Sequence, residues 1–508
     1  MKHPGIYSKL CYIHMAIYVI YFAALEILPV RNFLNQHLGV LYTLIGVSGA
    51  FLLVLDFFSR RIMFQIQHAR ILMLFFVATI ASICINYQYD LAGNMKCIMW
   101  MAVQVFLFGA IDKKESGTVH VKRLCMLFDI FILIWLIGVL WALWQYIVQF
   151  GGYFETLRMD RIQMLHIGFI DQRLFGMFQD ANYASICSSF AIGFAEFCRR
   201  WGKRPRVFHI YYIITIILQI CYIILSGSRM GLLAAFITMF FCSSCLAGAK
   251  IRQNAGIKVT AGILFGVLST GLLFGGYKAI QTGLSYLPPF VKGICEELYE
   301  PKTETDPIHQ NLPKDAPQPA KQPEKTEGAG SERVSFVRED VVNKRDFSNN
   351  RFAIWSDYLA ILKTTPIFGA SPRGYTLYAK AHFDDLYILR RQYVNVHNGY
   401  LLALVGAGIL GGGLMLMWTV RVGVMILGYL VRRRRSGDRY YGMIFLLTLL
   451  LLMTAVSILT VQGIFFCNII PDVLFWIVLG YTLYFIRISE YENNRKRLSE
   501  QSGGMYRK

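Results

Sequence analysis

The sequence predicts an all-α polytopic membrane protein, with about twelve transmembrane helices and one long extracytoplasmic loop that carries an amphipathic helix. Three observations predict this class. Of the 508 residues, 55% are hydrophobic and only 16% are charged, whereas soluble domains carry about 25% charged residues. The apolar residues come in runs of about 20, the length that a helix needs to cross a bilayer. The basic residues cluster between these runs. Together these features exclude an ordinary cytosolic enzyme and a disordered chain.

Twelve apolar runs are candidate spans, with ends uncertain by a few residues. They cover residues 10–30, 38–58, 69–87, 95–111, 124–149, 181–198, 207–225, 229–247, 259–284, 398–431, 440–459 and 472–486. The tenth run is long for a single span. Its glycines at 406, 408, 411, 412 and 413 predict a bend in the helix or a short re-entrant piece.

The distribution of lysine and arginine predicts the orientation. If the N-terminus is cytoplasmic, the inside segments hold 28 basic residues and the short outside segments hold five. This asymmetry follows the positive-inside rule and places both termini in the cytoplasm. The net charge of +20 is therefore explained by topology and by contact with anionic membrane lipids, and we expect no nucleic-acid partner.

The spans divide the chain into four parts. Residues 1–284 carry helices one to nine, 285–397 form the extracytoplasmic loop, 398–486 carry the last three helices, and 487–508 form a basic cytoplasmic tail. In the loop, residues 301–330 contain six prolines, four lysines and five acids, which predicts a flexible insert. Residues 349–365 predict the amphipathic helix, capped by Asn349 or Asn350 and ended by Pro366. Its expected apolar face consists of Ile354, Trp355, Tyr358, Leu359 and Leu362.

Polar residues concentrate at four places on the predicted outer side, each next to the start of a helix. These are Arg173 with Asp180 and Asn182, the turn with Ser228 and Arg229, Asn350 with Arg351, and His397 with Asn398. Helix N-termini attract anions, so an arginine there is unfavourable unless an anion lies in front of it. Because guanidinium groups bind phosphate oxygens through two parallel hydrogen bonds, this pattern predicts a bound diphosphate.

Simpler readings of the same residues stay open. Arg229 could reach lipid headgroups, Arg351 could be a solvated loop charge, and Arg173 could have no ligand. His397 could be a helix cap or an interfacial ring, and Asp180 and Asn182 could be caps. The short stretch with His382, Asp384 and Asp385 is weak evidence for a metal site. We expect no metal and no cofactor, because no nucleotide-binding or zinc-hydrolase motif occurs.

Four segments resemble the O-antigen ligase family, which includes related surface-polysaccharide polymerases. They read RLFGMFQDANYAS (173–185), SGSRMGLLA (226–234), NRFAIWSDYLAILKTTPIFGA (350–370) and VHNGYLLALVGAGILGG (396–412). The resemblance implies a multi-span enzyme of the bacterial cytoplasmic membrane. Such enzymes transfer a glycan from an undecaprenyl diphosphate carrier to an acceptor hydroxyl, on the outer face, with inversion and without a metal.

The resemblance also implies roles for individual residues. Arg229 and Arg351 match the family's arginines that bind the diphosphate, assisted here by Arg173 and Ser228. His397 matches the histidine proposed to assist the acceptor, with Asp180, Asn182 and Asn398 in support. The turn after Pro366 departs from the glycine-rich family pattern, because it contains Pro372 and Arg373.

Two other functions compete with a transferase of the ligase and polymerase class. A flippase for lipid-linked oligosaccharides needs charged groups in a cavity open to both faces, whereas the polar motifs here lie on one face. A glycosyltransferase that depends on carboxylates commonly has acids in its first outer loop, and residues 29–37 contain none. The sequence does not separate a ligase from a polymerase, since the two differ only in the acceptor.

Overall fold

The computed structural model describes residues 4–158, 161–250, 255–298, 333–336, 350–390, 396–432, 438–458 and 465–505. These residues are mostly helical. The first eleven helices are α1 (Pro4–Ala24), α2 (Leu28–Leu34), α3 (Leu38–Ser59), α4 (Ala69–Ile85), α5 (Leu91–Ala102, continued by a π-helical turn to Phe108), α6 (Gly117–Ile147), α7 (Ala181–Trp201), α8 (Arg206–Leu225), α9 (Arg229–Lys250), α10 (Ala255–Ser285) and α11 (Leu287–Leu298). The others are α12 (Arg351–Thr364), α13 (Tyr375–His382), α14 (Tyr387–Arg390), α15 (Gly399–Arg432), α16 (Asp438–Val456) and α17 (Ile470–Met505).

The described part of the chain contains nine helical stretches that are long and apolar enough to cross a membrane. They are Ile6–Ala24, Leu28–Ser59, Leu91–Phe108, Gly117–Ile147, Arg206–Leu225, Arg229–Gly248, Val259–Ile294, Gly399–Tyr429 and Ile470–Ile488. Two shorter apolar helices, Ala69–Ile85 and Gly442–Val456, coincide with the third and eleventh predicted runs. The predicted class, a polytopic helical membrane protein, is therefore confirmed, whereas the count of twelve spans is not.

Helix α7 corresponds to the sixth predicted run but is too polar to be counted among the nine apolar stretches. It contacts α6, α8, α9 and α16, so protein surrounds it on most sides. Its buried serines find partners there: Ser188 accepts a hydrogen bond from the indole of Trp135 (3.1 Å), and Ser189 donates to the carbonyl of Ser185 (3.2 Å). Small and hydroxylated residues suit helix–helix contacts inside a membrane protein. The low hydropathy of α7 follows from this interior position.

A small antiparallel sheet corrects the expectation of an all-α chain. Its strands are β1 (Gly151–Arg158), β2 (Arg161–Ile170) and β3 (Arg173–Gly176), in the order β1–β2–β3. The turn from β2 to β3 is made by Asp171 and Gln172, which both have positive φ (50° and 58°), as a type I′ hairpin turn requires. The sheet connects α6 to α7 and so sets the position of Arg173, the first residue of β3.

The observed boundaries of the long loop also differ from the predicted ones. Helix α10 ends at Ser285 and α11 follows at once, so the apolar helical stretch extends about ten residues beyond the predicted end, to Ile294. The insert at 301–330 and Asn349 lie outside the described residues. The described part of the basic tail, residues 487–505, belongs to α17, which ends at Met505.

The helix predicted over residues 349–365 corresponds to α12 (Arg351–Thr364), with a slightly different buried face. Its buried side chains are Ile354, Tyr358, Ile361 and Leu362, whereas Leu359 is exposed and Trp355 is half-buried. The expected face was therefore wrong at Leu359 and missed Ile361. The side chain of Asn350 makes no capping hydrogen bond, so that proposed cap is wrong.

Helix α15 breaks at Gly408, as its glycine run predicted. Gly408 has φ 68° and ψ −174°, which is not helical. The break lets the chain after α12 dock onto the helix through two backbone hydrogen bonds. The amide of Ile409 donates to the carbonyl of Pro366 (2.8 Å), and the amide of Ala370 donates to the carbonyl of Val405 (2.8 Å). The break thereby fixes the end of the loop that carries α12.

Candidate functional site

The start of α12 and the segment around His397 are joined by a direct hydrogen bond. The indole of Trp355 donates to the backbone carbonyl of Val396 (3.1 Å). Trp355 lies one turn after Arg351, and Val396 directly precedes His397. Both His397 and Arg351 are half-buried, so two residues that are 46 positions apart in sequence come to the same end of the bundle.

The surroundings of His397 favour the neutral form of its ring. Burial is the largest effect and lowers the pKa of its imidazole below 6.5, and the positive charge of Arg351 lowers it further. The carboxylate of Asp180 acts in the opposite direction. The backbone of His397 has φ 52°, a conformation that few residues other than glycine adopt. These effects place His397, Arg351 and Asp180 in one electrostatic neighbourhood, with a ring that can accept a proton.

Asp180 also belongs to a second group, at the start of α7. Its side chain accepts hydrogen bonds from the amides of Asn182 (2.7 Å) and Tyr183 (2.9 Å). The side-chain oxygen of Asn182 accepts a hydrogen bond from the guanidinium of Arg173 (2.9 Å). Asp180 is thus the N-cap of α7, and Asn182 holds Arg173.

Arg173 links three elements. Besides its bond to Asn182, its Nε donates to the backbone carbonyl of Ser226 (3.0 Å), and its guanidinium lies 5.1 Å from the centre of the Phe175 ring. Several of its donors are therefore used within the protein. The geometry favours a positioning role for Arg173, which connects β3, the start of α7 and the turn between α8 and α9.

The turn before α9 presents Arg229 to solvent. Gly227 supplies the positive φ of this turn (58°). The buried Ser228 accepts a hydrogen bond from the amide of Gly231 (3.0 Å), so it caps α9. Arg229 is exposed, and no carboxylate among the described residues forms an ion pair with it. Of the two residues proposed to bind a diphosphate here, Arg229 has its charge available and Ser228 is engaged in capping.

Three of the four predicted helix starts are thus capped by their own side chains. Asn398 caps α15, because its side chain accepts from the amides of Tyr400 (3.0 Å) and Leu401 (2.9 Å). Asp180 and Ser228 do the same for α7 and α9. Since caps satisfy amides that an anion would otherwise use, the arginine side chains, more than the helix ends, define where an anion can bind.

The candidate metal ligands do not converge. The ring of His382 contacts the backbone carbonyl of Tyr378 (Nδ1 to O, 2.9 Å), and Asp385 pairs with Arg390 (2.6 Å). Within the described ranges, no group of three histidine, cysteine or acidic side chains is arranged to hold a metal ion.

Sequence reasoning gave no functional role to Arg373. The turn that carries it is tied to α5, because the amide of Arg373 donates to the side chain of Asn94 (2.8 Å). The side chain is exposed, yet it interacts electrostatically with Cys97, Cys467 and Tyr375. The one signal in the sequence was its departure from the glycine-rich family pattern, and the distant partners of the turn could not be read from the sequence.

Fold and site together define a polytopic helical membrane protein with basic side chains and a neutral histidine gathered at one end of its bundle. A family model described as O-antigen ligase matches residues 214–417. This segment, from α8 into α15, is similar to the O-antigen ligase family, which confirms the resemblance of its motifs. The match includes Arg229, Arg351 and His397 and begins after Arg173 and Asp180. No curated protein matches the chain. This similarity indicates a glycan-transferring function in polysaccharide biosynthesis.

Proposed function

We propose that the protein transfers an oligosaccharide or polysaccharide from an undecaprenyl diphosphate carrier to an acceptor hydroxyl. The observation that carries this proposal is the convergence of His397, Arg351 and Asp180 at the end of the bundle that also holds Arg229. A proton acceptor and guanidinium groups are the two kinds of catalytic group that transfer from a diphosphate carrier needs.

Arg351 and Arg229 bind the carrier diphosphate in this proposal. When the bond between C1 of the first sugar and the diphosphate oxygen breaks, negative charge grows on the leaving oxygen. Fixed guanidinium groups stabilise this charge most strongly where little water is present. Arg173 contributes through its position: it holds the turn before α9 against the start of α7.

His397 acts on the acceptor. Its neutral imidazole accepts the proton of the attacking hydroxyl while the oxygen of that hydroxyl forms the new bond to C1. Attack from the side opposite the diphosphate inverts the configuration at C1. The products are the lengthened acceptor and undecaprenyl diphosphate, and the reaction needs neither a metal ion nor a cofactor. The charge of Asp180 tunes the pKa of His397, while Asn398 fixes the start of α15 behind it.

The proposal includes a location. The positive-inside distribution supports a site on the extracytoplasmic face, and the similarity to O-antigen ligases supports a bacterial cytoplasmic membrane, where lipid-linked glycans are presented on that face. The acceptor is either a different anchor, which makes the protein a ligase, or another glycan chain, which makes it a polymerase. Analysis of the surface polysaccharide in a deletion strain separates the two: single repeat units indicate a polymerase, and long chains left on the carrier indicate a ligase.

The arginine roles are tested by single substitutions in the full-length protein. Arg229→Lys and Arg351→Lys keep the charge but cannot form two parallel hydrogen bonds, so each should lose much of the transfer activity. Arg390→Lys is the control, because Arg390 is an exposed arginine paired with Asp385. Transfer at the wild-type rate by the double variant Arg229→Lys/Arg351→Lys would refute this role.

The base is tested by His397→Ala. Loss of general-base assistance typically lowers the rate by about 10²- to 10⁴-fold, while binding of the lipid-linked donor should persist. His397→Gln keeps hydrogen bonding without proton acceptance, so it distinguishes the two roles. An unchanged rate for His397→Ala, at wild-type protein level, would exclude His397 as the base.

A further inference from the structure

A cavity of about 500 Å³ lies at the end of the bundle opposite the candidate site. It is enclosed by the first turns of α6, by the turn between α7 and α8, and by side chains of α15, α16 and α17. Helix α7 separates it from Asp180, because the 21 residues of this helix rise about 30 Å from that cap. The volume falls in the range of about 300–1,000 Å³ that is usual for ligand sites. The cavity is therefore separate from the site proposed for transfer.

The polar side of the cavity is basic. It is lined by Lys122 of α6 and by Lys203 and Arg204 of the turn between α7 and α8, and none of its described lining residues is acidic. Arg204 pairs with Asp129 (2.6 Å). Within the described ranges, no carboxylate forms an ion pair with Lys122 or Lys203. The cavity thus carries two positive charges that the protein does not compensate, which favours an anionic ligand.

The turn that carries Lys203 is held in place. The amide of Gly202 donates a hydrogen bond to the carbonyl of Cys198 (2.9 Å). Gly202 also packs against α6, since a Cβ at this position would lie 3.3 Å from the sulfur of Cys125. Lys203 itself has φ 48°, a conformation that few residues other than glycine adopt. The side chain of Lys203 therefore leaves the turn from a fixed point at the edge of the cavity.

The opposite wall of the cavity is apolar and aromatic. It is formed by Trp201, Tyr429, Met443 and Phe485. The ring of Trp201 packs against Phe485 (5.0 Å between centroids) and covers Gly442, where a Cβ would collide with the indole. Because these contacts are made within the protein, the wall is already formed without a ligand. A molecule that fits the whole cavity needs an anionic group and a hydrocarbon part.

The rim of the cavity lies where headgroups and acyl chains meet. Lys122 and Lys203 are exposed, so the basic side is accessible. Val207 is an exposed apolar residue two positions after Pro205, which lines the cavity, and the exposed Val119 lies one turn before Lys122. Exposed apolar side chains on membrane-spanning helices contact acyl chains. The cavity can therefore be entered from the bilayer at the predicted cytoplasmic surface.

We propose that this cavity binds one anionic phospholipid, with its phosphate at Lys122 and Lys203 and the first methylene groups of its acyl chains against Trp201 and Phe485. Basic pockets between transmembrane helices on the cytoplasmic side favour such headgroups. A soluble phosphate could use the lysines but would leave the apolar wall unoccupied. The bound lipid connects α6, the turn after α7 and α17, so it stabilises this end of the bundle.

The first test compares ligands on the wild-type, full-length protein, purified and delipidated in a neutral detergent. Dioleoyl phosphatidylglycerol should remain bound to the protein in native mass spectrometry and should raise its resistance to heating. Dioleoyl phosphatidylcholine has the same acyl chains but no net charge, so it should not displace the bound lipid. Glycerol 3-phosphate carries the anionic group without acyl chains and should not raise the heat resistance.

The second test removes the two lysines. Lys122→Gln/Lys203→Gln should weaken binding of phosphatidylglycerol by about 30-fold, because each lysine near an anionic headgroup contributes roughly a fivefold factor. Lys9→Gln/Lys114→Gln is the matched control. It also removes two exposed lysines at the predicted cytoplasmic end, and neither of them lines the cavity, so this variant should bind the lipid like the wild type.

A third measurement needs no variant. Lysines of the wild-type protein are acetylated with an amine-reactive reagent, and the modified positions are mapped by mass spectrometry. Phosphatidylglycerol should protect Lys122 and Lys203, while Lys9 and Lys114 in the same sample should react at an unchanged rate. Phosphatidylcholine should protect none of the four.

Each alternative gives a distinct result that would overturn the inference. Equal loss of affinity in the two double variants would show a diffuse attraction to anionic lipid without a discrete site. Equal stabilisation by glycerol 3-phosphate and phosphatidylglycerol would identify a site for soluble phosphates. Unchanged affinity in Lys122→Gln/Lys203→Gln, or equal protection by both lipids, would show that the lysines do not bind the headgroup. None of these measurements depends on transfer activity, so failure of the proposed function leaves them decisive.

Discussion

At the scale of single residues, the site depends on opposing charges around His397. Burial and Arg351 both favour the neutral ring, whereas Asp180 favours the protonated one. A base that is neutral at working pH needs this balance, because too low a pKa would weaken proton acceptance and too high a pKa would leave the ring protonated. Asp180, the cap of α7, therefore has a second role: its carboxylate limits how far the pKa of His397 falls.

This balance predicts shifts of the pH profile in opposite directions. Transfer by the wild type should decline on acidification only below pH 6.5, the ordinary pKa of a histidine, since the pKa of His397 is lowered. Arg351→Gln removes a positive neighbour, so the acid limb should move to higher pH. Asp180→Asn removes a negative neighbour, so the limb should move to lower pH, and asparagine can still cap α7.

The measured quantity is the pH at which kcat declines on the acid side of its pH profile. The absolute rate is not used, because Arg351→Gln also weakens donor binding. Lys363→Gln, an exposed charge change on α12, should leave the limb in place. Shifts of the two variants in the same direction would show that His397 is not the titrating group.

At the scale of elements, the sequence predicted what hydropathy and glycine patterns encode and missed what long-range contacts decide. Each predicted apolar run overlaps a helix, and the break in α15 was expected from its glycines. The three-stranded sheet was missed because its short strands lie between two long apolar runs and are stabilised by pairing with each other. The misjudged face of α12 has a similar cause, since packing against α14 and α15 decides which side of α12 is buried.

The candidate site shows the same limit. Motifs identified Arg229, Arg351 and His397 as candidates, because their residue types and flanking patterns are local. The local sequence left open that Asp180 would cap its own helix, but it did not show that Ser228 and Asn398 would do the same or that Asn182 would hold Arg173. Arg373 escaped for the same reason, as its partner Asn94 is 279 residues away in sequence.

The docking of the loop at the break in α15 yields a prediction about Gly408. A Cβ at Gly408 would collide with the carbonyl oxygen of Ile367, and its backbone conformation is one that essentially only glycine adopts. Gly408→Ala should therefore destabilise the protein by roughly 1–3 kcal/mol from backbone strain alone. The measurement is the fraction of detergent-solubilised protein that stays monodisperse after heating.

Gly413→Ala is the matched control in the same helix. A Cβ at Gly413 meets no atom within 4 Å, and alanine is a better helix former than glycine, so this variant should be at least as heat-resistant as the wild type. Equal heat resistance of Gly408→Ala and the wild type would contradict the described docking of residues 366–370.

At the scale of the whole molecule, the two ends of the bundle treat their arginines differently. At the predicted cytoplasmic end, arginines are neutralised by acids: Arg60 pairs with Asp112 (2.8 Å) and Arg204 pairs with Asp129 (2.6 Å). At the other end, neither Arg229 nor Arg373 has a carboxylate partner among the residues that the structure describes. Of these four arginines, the two at the predicted cytoplasmic end are neutralised and the two at the other end are not, whereas Arg390 in the predicted outer loop is also paired, with Asp385.

The proposed function depends on the orientation of the chain in the membrane, and this orientation is itself a prediction. Lys363 on α12 belongs to the predicted extracytoplasmic loop, and Lys203 lies between α7 and α8 at the predicted cytoplasmic end. Both side chains are exposed. In intact spheroplasts, a membrane-impermeant maleimide should label Lys363→Cys above the level of the parent protein, whose own exposed Cys84 sets the background. Lys203→Cys should be labelled only after permeabilisation. The reverse pattern would place Arg229, Arg351 and His397 in the cytoplasm, and transfer on the outer face would then be ruled out.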